Sequence, residues 1–198
     1  MKSGFMYPAS RFALTWIKTI GEDKATGDLK RAYEAVLRTR GKVSNIMRAQ
    51  SLNPNALRSH LELYTTLVYG KSGLSRGERE MIATLISAHN HCDYCVTHHG
   101  EALRFYLKNG DQLETFKRGR QPENLPQRSK ALIDYALKLT LEPGAVVRED
   151  VNALRRTGIT DSEILDLVLL TAYMNYVTRI AQGLGVEHDE QEARGYRY

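Results

Sequence analysis

The stretch from Ser87 to Gly100, SAHNHCDYCVTHHG, concentrates the reactive side chains of a 198-residue chain. It holds both cysteines, Cys92 and Cys95, and four of the six histidines: His89, His91, His98 and His99. A Cys-x-x-Cys pair followed by a histidine supports three readings. As a metal site, Cys92, Cys95 and His99 with His89 or His91 would satisfy tetrahedral zinc in number. No second ligand pair follows, however, and His60 and His188 stand alone. As inert residues, the cysteines would be small buried hydrophobes and the histidines hydrogen-bonded groups on a helix. As a redox dithiol, the pair has suitable geometry. On a helix the two residues lie about 60° apart around the axis with Cα atoms about 5 Å apart, inside the roughly 4.4–6.8 Å that a disulfide requires. His99 falls one turn beyond Cys95 and two beyond Cys92, where an imidazole can accept a thiol proton. Asp93 works against thiolate formation.

A carboxylate could complete the constellation. Glu80 precedes Cys92 with eleven residues between them. In one unbroken helix it would lie about 18 Å along the axis from Cys92 and could not take part. It reaches His99 only if the chain folds back between Ala88 and His91, with Asn90 as the cap. Otherwise it solvates a helix or pairs with Arg76 one turn earlier.

The elements that must hold these residues are helical. GDLKRAYEAVLRTRG places Leu29, Ala32, Tyr33, Val36 and Leu37 on one face and ends at Gly41. NPNALRSHLELYTTLVYG starts at Pro54 and stops at Gly70. LSRGEREMIATLISAHN opens with Ser75 and Glu78 at capping-box spacing. VTHHGEALRFYLKNG runs to Gly110, and QRSKALIDYALKLTLEPG, REDVNALRRTG and TDSEILDLVLLTAYMNYVTRIAQGLG complete the set. No segment alternates with the period of a strand, so the fold class is all-α. A weak internal repeat is visible: the segment from Gly73 aligns without a gap on the segment from Gly158. Ser75 meets Thr160, Glu78 meets Glu163, Leu85 meets Leu170 and Asn90 meets Asn175, but Val177 and Ile180 stand where the first copy has Cys92 and Cys95.

Composition narrows the class of function. Apolar residues make up 42% and charged residues 26%, as in ordinary globular chains. No apolar run approaches the roughly 18–20 residues that cross a bilayer, and the N-terminus has no signal-peptide core, so the expected compartment is the cytosol and no membrane partner is expected. The net charge of +5 comes from scattered residues, which argues against a nucleic-acid surface. Two cysteines are too few for a secreted disulfide framework. The expected organisation is an N-terminal arm over residues 1–24, one helical domain over 25–186 and a C-terminal tail over 187–198.

The pattern Glu80-x11-Cys92-x2-Cys95-x3-His99, with LSRGEREMIATLISAHNHCDYCVTHHGEAL around it and AYMNYVTRIAQGLGV later, resembles the AhpD-like alkylhydroperoxidases. The likeness is to their peroxidase-related subgroup, within the carboxymuconolactone decarboxylase superfamily, and it covers residues 56–186. It implies an AhpD-like all-helical domain with an internal helical repeat, assembled as a homo-oligomer of three or six copies. It also implies a hydroperoxide substrate, attacked by Cys95 as thiolate to leave a sulfenic acid that Cys92 resolves to a disulfide. A dithiol reductant, of lipoyl type in the best-known members, would close the cycle. Glu80 and His99 would relay the proton, with no resident cofactor and no metal. The alternatives that use the same dithiol are a redox sensor without turnover and a disulfide oxidoreductase.

One residue departs from that pattern. The best-known alkylhydroperoxidases carry a histidine immediately before the second cysteine, where this chain has Tyr94. A tyrosine donates and accepts hydrogen bonds but is a poor base at neutral pH. His91 or His98 could compensate, although His98 lies about 100° from His99 around the helix and is expected in solvent. The decarboxylase branch of the superfamily lacks the cysteine pair, so decarboxylation is not the expected activity.

Overall fold

The computed structural model describes residues 14–196, and every regular element among them is helical, as the periodicity requires. Helix α1 (Gly27–Arg40) buries Leu29, Ala32, Tyr33 and Val36 and ends at Gly41, whose φ of 79° is the left-handed cap conformation. Leu37 does not join that face: one residue past Val36 it turns about 100° further round the helix and is 41% exposed. Helix α2 (Asn45–Arg48) is a single turn, too short for any periodicity to announce. Helix α3 (Pro54–Tyr64) begins behind Asn53, whose side chain accepts from the Ala56 amide at 3.1 Å. It widens into a π-helical turn (Thr65–Tyr69) and stops at Gly70, where a Cβ would lie 2.2 Å from the Thr66 carbonyl oxygen.

Helix α4 (Arg76–His89) opens on the capping box read from the sequence: Ser75 Oγ accepts from the Glu78 amide at 3.2 Å, and Glu78 accepts from the Ser75 amide at 2.8 Å. Helix α5 (Asp93–Tyr106) follows it directly. The sequence reading carries this helix to Gly110, but it ends at Tyr106, and Gly110 instead opens helix α6 (Gly110–Lys117). Asn109 caps α6 by accepting from the Gln112 amide at 3.1 Å, and Leu113 and Phe116 bury its two turns. Helices α7 (Gln127–Leu141), α8 (Arg148–Arg156) and α9 (Asp161–Gly183) complete the fold.

Helix α4 is the hub, packed on α5, α6, α7 and α9, and its Ile82, Ala83, Leu85 and Ile86 are all within the core. Arg128 at the start of α7 ties two helix beginnings together, donating to Glu78 at 2.8 Å and to Glu163 at 2.7 Å. By length and composition α9 could cross a bilayer, with a mean hydropathy of 1.3, a property the sequence reading did not assign to any segment. Half of that stretch is buried inside the fold, as in a core helix. The two ends of the described chain run side by side: the Trp16 amide donates to the Leu184 carbonyl at 2.8 Å and the Glu187 amide to the Leu14 carbonyl at 3.0 Å. Of the expected arm and tail, residues 1–13 and 197–198 lie outside the described residues.

Candidate active site

A break in the backbone builds the site. Asn90 caps the end of α4, and His91 turns the chain with φ 54°, the one positive φ of a non-glycine among the described residues. The Cys92 amide then donates back to the Ser87 carbonyl at 2.9 Å. The chain reverses as the Glu80–His99 spacing demands, and α5 packs along α4. Glu80 Oε2 meets His99 Nδ1 at 2.7 Å. Its other oxygen lies 2.6 Å from the Arg76 guanidinium, so both partners proposed for Glu80 engage it at once.

Glu80 is 1% exposed. Burial pushes its carboxyl up, but His99 first, and then Arg76 and Arg40, outweigh that and hold it below the ordinary carboxylate value. The ionised carboxylate accepts from His99 Nδ1–H, so Nε2 is the ring nitrogen left for another partner. This is the arrangement by which a buried carboxylate orients a general-base histidine.

Cys92 and Cys95 are joined as a disulfide, with Cα atoms 5.3 Å apart. Only Cys95 is helical. Cys92 is the cap of α5, with φ −98° and ψ 89°, and its sulfur accepts from the Cys95 amide at 3.3 Å. The expected separation survives because a cap residue and the third residue of the helix are spaced much as two helical residues are. Cys95 therefore sits in the first turn of α5, at the positive end of the helix dipole, which favours a thiolate once the disulfide is reduced.

Cys95, His99 and Glu80 line a cavity of about 60 Å3, together with Tyr94, His98 and Tyr196. Tyr94 is no base. Burial raises its hydroxyl well above the usual phenol value, and its oxygen accepts from the Ile46 amide of α2 at 3.2 Å. His98 corrects the expectation of solvent exposure: only 16% of its side chain is accessible, and Nε2 lies 2.5 Å from Glu192. Burial lowers its pKa more than Glu192 raises it. The imidazole also packs on the Tyr94 ring, with centroids 4.3 Å apart. Thus a second carboxylate–histidine pair stands at the cavity, beside Tyr94, the residue that departs from the pattern.

Sequence reasoning missed Glu192 and Tyr196, which lie in a segment without periodicity, and His60, which faces the cavity from α3. His60 bonds the Tyr173 hydroxyl at 2.8 Å, and burial pulls its pKa down to about 4. The one available signal for Glu192 was the placement of a carboxylate four residues before a tyrosine, since Tyr196 donates to it at 2.5 Å. His89 and His91, the alternative fourth ligands of a zinc site, do not line the cavity. Among the described residues no group of three histidine, cysteine or acidic side chains is placed to hold a metal ion.

A sequence profile of the family described as PA26 p53-induced protein (sestrin) matches residues 13–197. Sestrin-3 from Mus musculus is 26% identical over 180 residues, which are 88% of this chain and 35% of the sestrin. Sestrin-2 from Homo sapiens is 24% identical over 153 residues, 76% of this chain and 31% of that protein. The chain thus spans about a third of the length of these curated relatives. Among solved structures, an uncharacterized peroxidase-related protein from Silicibacter sp. TM1040 superposes with a TM-score of 0.84 at 26% identity, covering 95% of this chain and 98% of its own. The alkylhydroperoxidase AhpD core of a peroxidase-related protein from Ralstonia eutropha JMP134 gives 0.81 at 27% identity, covering 94% of this chain and 100% of its own.

Proposed function

The chain belongs to the PA26 p53-induced protein (sestrin) family and has the fold of the AhpD-like, peroxidase-related proteins of the carboxymuconolactone decarboxylase superfamily, and from this we propose that it is a thiol-dependent peroxidase that reduces hydroperoxides. The observation that carries the reading is that Cys95, and not Cys92, shares the small cavity with the Glu80-paired His99. Cys95 gives its thiol proton to His99 Nε2, and Glu80 stabilises the imidazolium. The thiolate attacks the terminal oxygen of the hydroperoxide. An S–O bond forms, the O–O bond breaks, and the leaving oxygen takes the proton from His99 as alcohol or water. Sulfur is oxidised to a sulfenic acid. The Cys92 thiol then attacks that sulfur and displaces water, closing the disulfide, which a dithiol reductant reopens by exchange. The cycle needs no resident cofactor.

The AhpD-like fold also supports assembly as a homo-oligomer and descent of residues 73–95 and 158–180 from one helical repeat. The second idea draws on Arg128, shared by Glu78 and Glu163, and on the bond from Asn90 to Asn175 at 3.0 Å. The test of the activity is hydroperoxide consumption with a small dithiol as reductant. Cys95→Ser abolishes turnover, whereas Cys92→Ser stops after one sulfenate that a dimedone probe labels at Cys95. Wild-type turnover in both variants overturns the reading. A second reading, a redox sensor without efficient turnover, is favoured by the burial of the disulfide, since Cys92 is 2% and Cys95 3% exposed, which restricts a protein-borne reductant. It predicts that peroxide closes the disulfide in a single turnover, with re-reduction as the slow step that keeps the chain from clearing peroxide.

A further inference from the structure

Residues 187–196 bring Tyr196 to the edge of the cavity and are fixed there by polar contacts. Glu192, 9% exposed, accepts from the Asn45 amide at 3.2 Å and from the Tyr196 hydroxyl at 2.5 Å, and pairs with His98 on α5. Its main-chain carbonyl accepts from Lys42 Nζ at 2.6 Å. Upstream, the Glu187 carbonyl accepts from Asn45 Nδ2 at 3.3 Å. The Tyr196 ring, itself 9% exposed, lies under the guanidinium of Arg40 at 5.5 Å and the ammonium of Lys42 at 5.1 Å. These contacts anchor the segment to the α1–α2 loop, to α2 and to α5, and the aromatic ring it presents is a wall of the cavity.

The space left behind that wall is small. About 60 Å3 accommodates a few water-sized groups, whereas a cavity of about 150 Å3 is what accepts a benzene ring. We infer that Tyr196, held by Glu192, is a specificity-determining residue that restricts the site to hydroperoxides of the size of hydrogen peroxide and short alkyl hydroperoxides, excluding aryl and other bulky ones. This rests on the peroxidase reading of Cys95 and adds the substrate class to it. Size exclusion here depends on the ring and not on the hydroxyl, because the hydroxyl is engaged by Glu192.

The experiment compares kcat/KM for hydrogen peroxide and cumene hydroperoxide in the wild-type chain, Tyr196→Ala and Tyr196→Phe. The wild type favours hydrogen peroxide at least tenfold, Tyr196→Ala narrows that ratio at least fivefold by raising the cumene hydroperoxide value, and Tyr196→Phe keeps it within twofold. Equal use of both substrates by the wild type, or an unchanged ratio in Tyr196→Ala, overturns the inference while leaving Cys95-dependent turnover intact. A companion measurement does not depend on activity. In a reduced Cys92→Ser background, methyl methanethiosulfonate modifies Cys95 at least tenfold faster than benzyl methanethiosulfonate, and adding Tyr196→Ala closes the gap. If no variant turns over peroxide, the peroxidase reading fails and the ratio of mixed-disulfide formation rates still decides whether Tyr196 bounds the cavity; equal rates overturn it. Should Tyr196→Ala not fold, Tyr196→Leu takes its place in both comparisons, with the same expected and overturning results.

Discussion

Two stretches of this chain begin alike and end differently. Helix α4 and helix α9 each start on a hydroxyl cap closed by a glutamate, Ser75 with Glu78 and Thr160 with Glu163, and Arg128 bonds both glutamates. Fifteen residues past each cap stands an asparagine, Asn90 or Asn175. There α4 stops and α5 begins at Asp93, while α9 continues to Gly183 with Val177 and Ile180 packed as apolar side chains. The break assembles the candidate site. It creates a new helix N-terminus next to Cys95, and it folds α5 back so that His99 meets Glu80. Leu165, the counterpart of Glu80 in α9, is 57% exposed. The unbroken helix supports the broken one: Asn90 Nδ2 donates to Asn175 Oδ1 and Thr178 Oγ1, each at 3.0 Å. Gln182 donates to the carbonyls of Asn90 and His91 at 2.5 and 3.2 Å, so groups freed by the break find partners on α9.

The strongest way to break this comparison is to give α4 the residue that α9 has. Glu80→Leu leaves Arg76 and His99 facing a buried site without their shared carboxylate, and removing one partner of such a buried network costs about 3–5 kcal/mol. Urea unfolding reads the loss, and a cost under about 1 kcal/mol would show that Glu80 does not anchor the fold-back. Acid separates the two regions next. His60 packs against Tyr173 of α9, and its pKa is pulled from 6.5 to about 4 by burial. Unfolded chain takes up a proton near pH 6.5 and folded chain does not until about pH 4, so the stability tied to neutral His60 is complete above 6.5. It is lost as the pH falls through that window, by about 3 kcal/mol at its lower end. Glu80, held below its ordinary 4.5, contributes its share down to more acid pH. Unfolding measured from pH 7.5 to 4.5 shows this decline, and His60→Gln flattens it; an equal slope in the variant refutes the assignment. The smallest effect sharpens the geometry of the break. His91→Gly removes the Cβ from a residue at φ 54° and changes stability by about 0.5–1 kcal/mol in the favourable direction. A destabilised variant would mean that the His91 side chain itself holds the turn.

Much of this was legible beforehand because the relevant signals are local. Ser75 and Glu78 announce where α4 starts, and the distance from Glu80 to His99 makes sense only with a fold-back near Asn90. The helices that run for three or more turns carry enough period to be read. Helix α2 has four residues and α6 eight, too few for a pattern, and the cap Asn109 was absorbed into the end of α5. His98 was misplaced for a different reason. Its angular position on α5 is as computed, but what lies at that angle is Glu192, 94 residues away in a segment without periodicity. Helix geometry says which way a side chain faces and nothing about which distant strand of chain will be waiting there.

The polar contacts that α9 and the C-terminal segment make to the break have a consequence for how the molecule comes into being. Chain emerging from the ribosome presents Cys92 and Cys95 long before Asn175, Thr178, Gln182 and Glu192 exist to hold their surroundings. Folding of domains during synthesis keeps pace with a growth of roughly 5–20 residues per second, so the two thiols spend about 5–20 s outside the tunnel's far end of the sequence with no cap on Asn90, no partner for His98 and no wall at Tyr196. The cysteine pair is synthesised before the residues that enclose it, and a stalled product carries the cysteines without that environment.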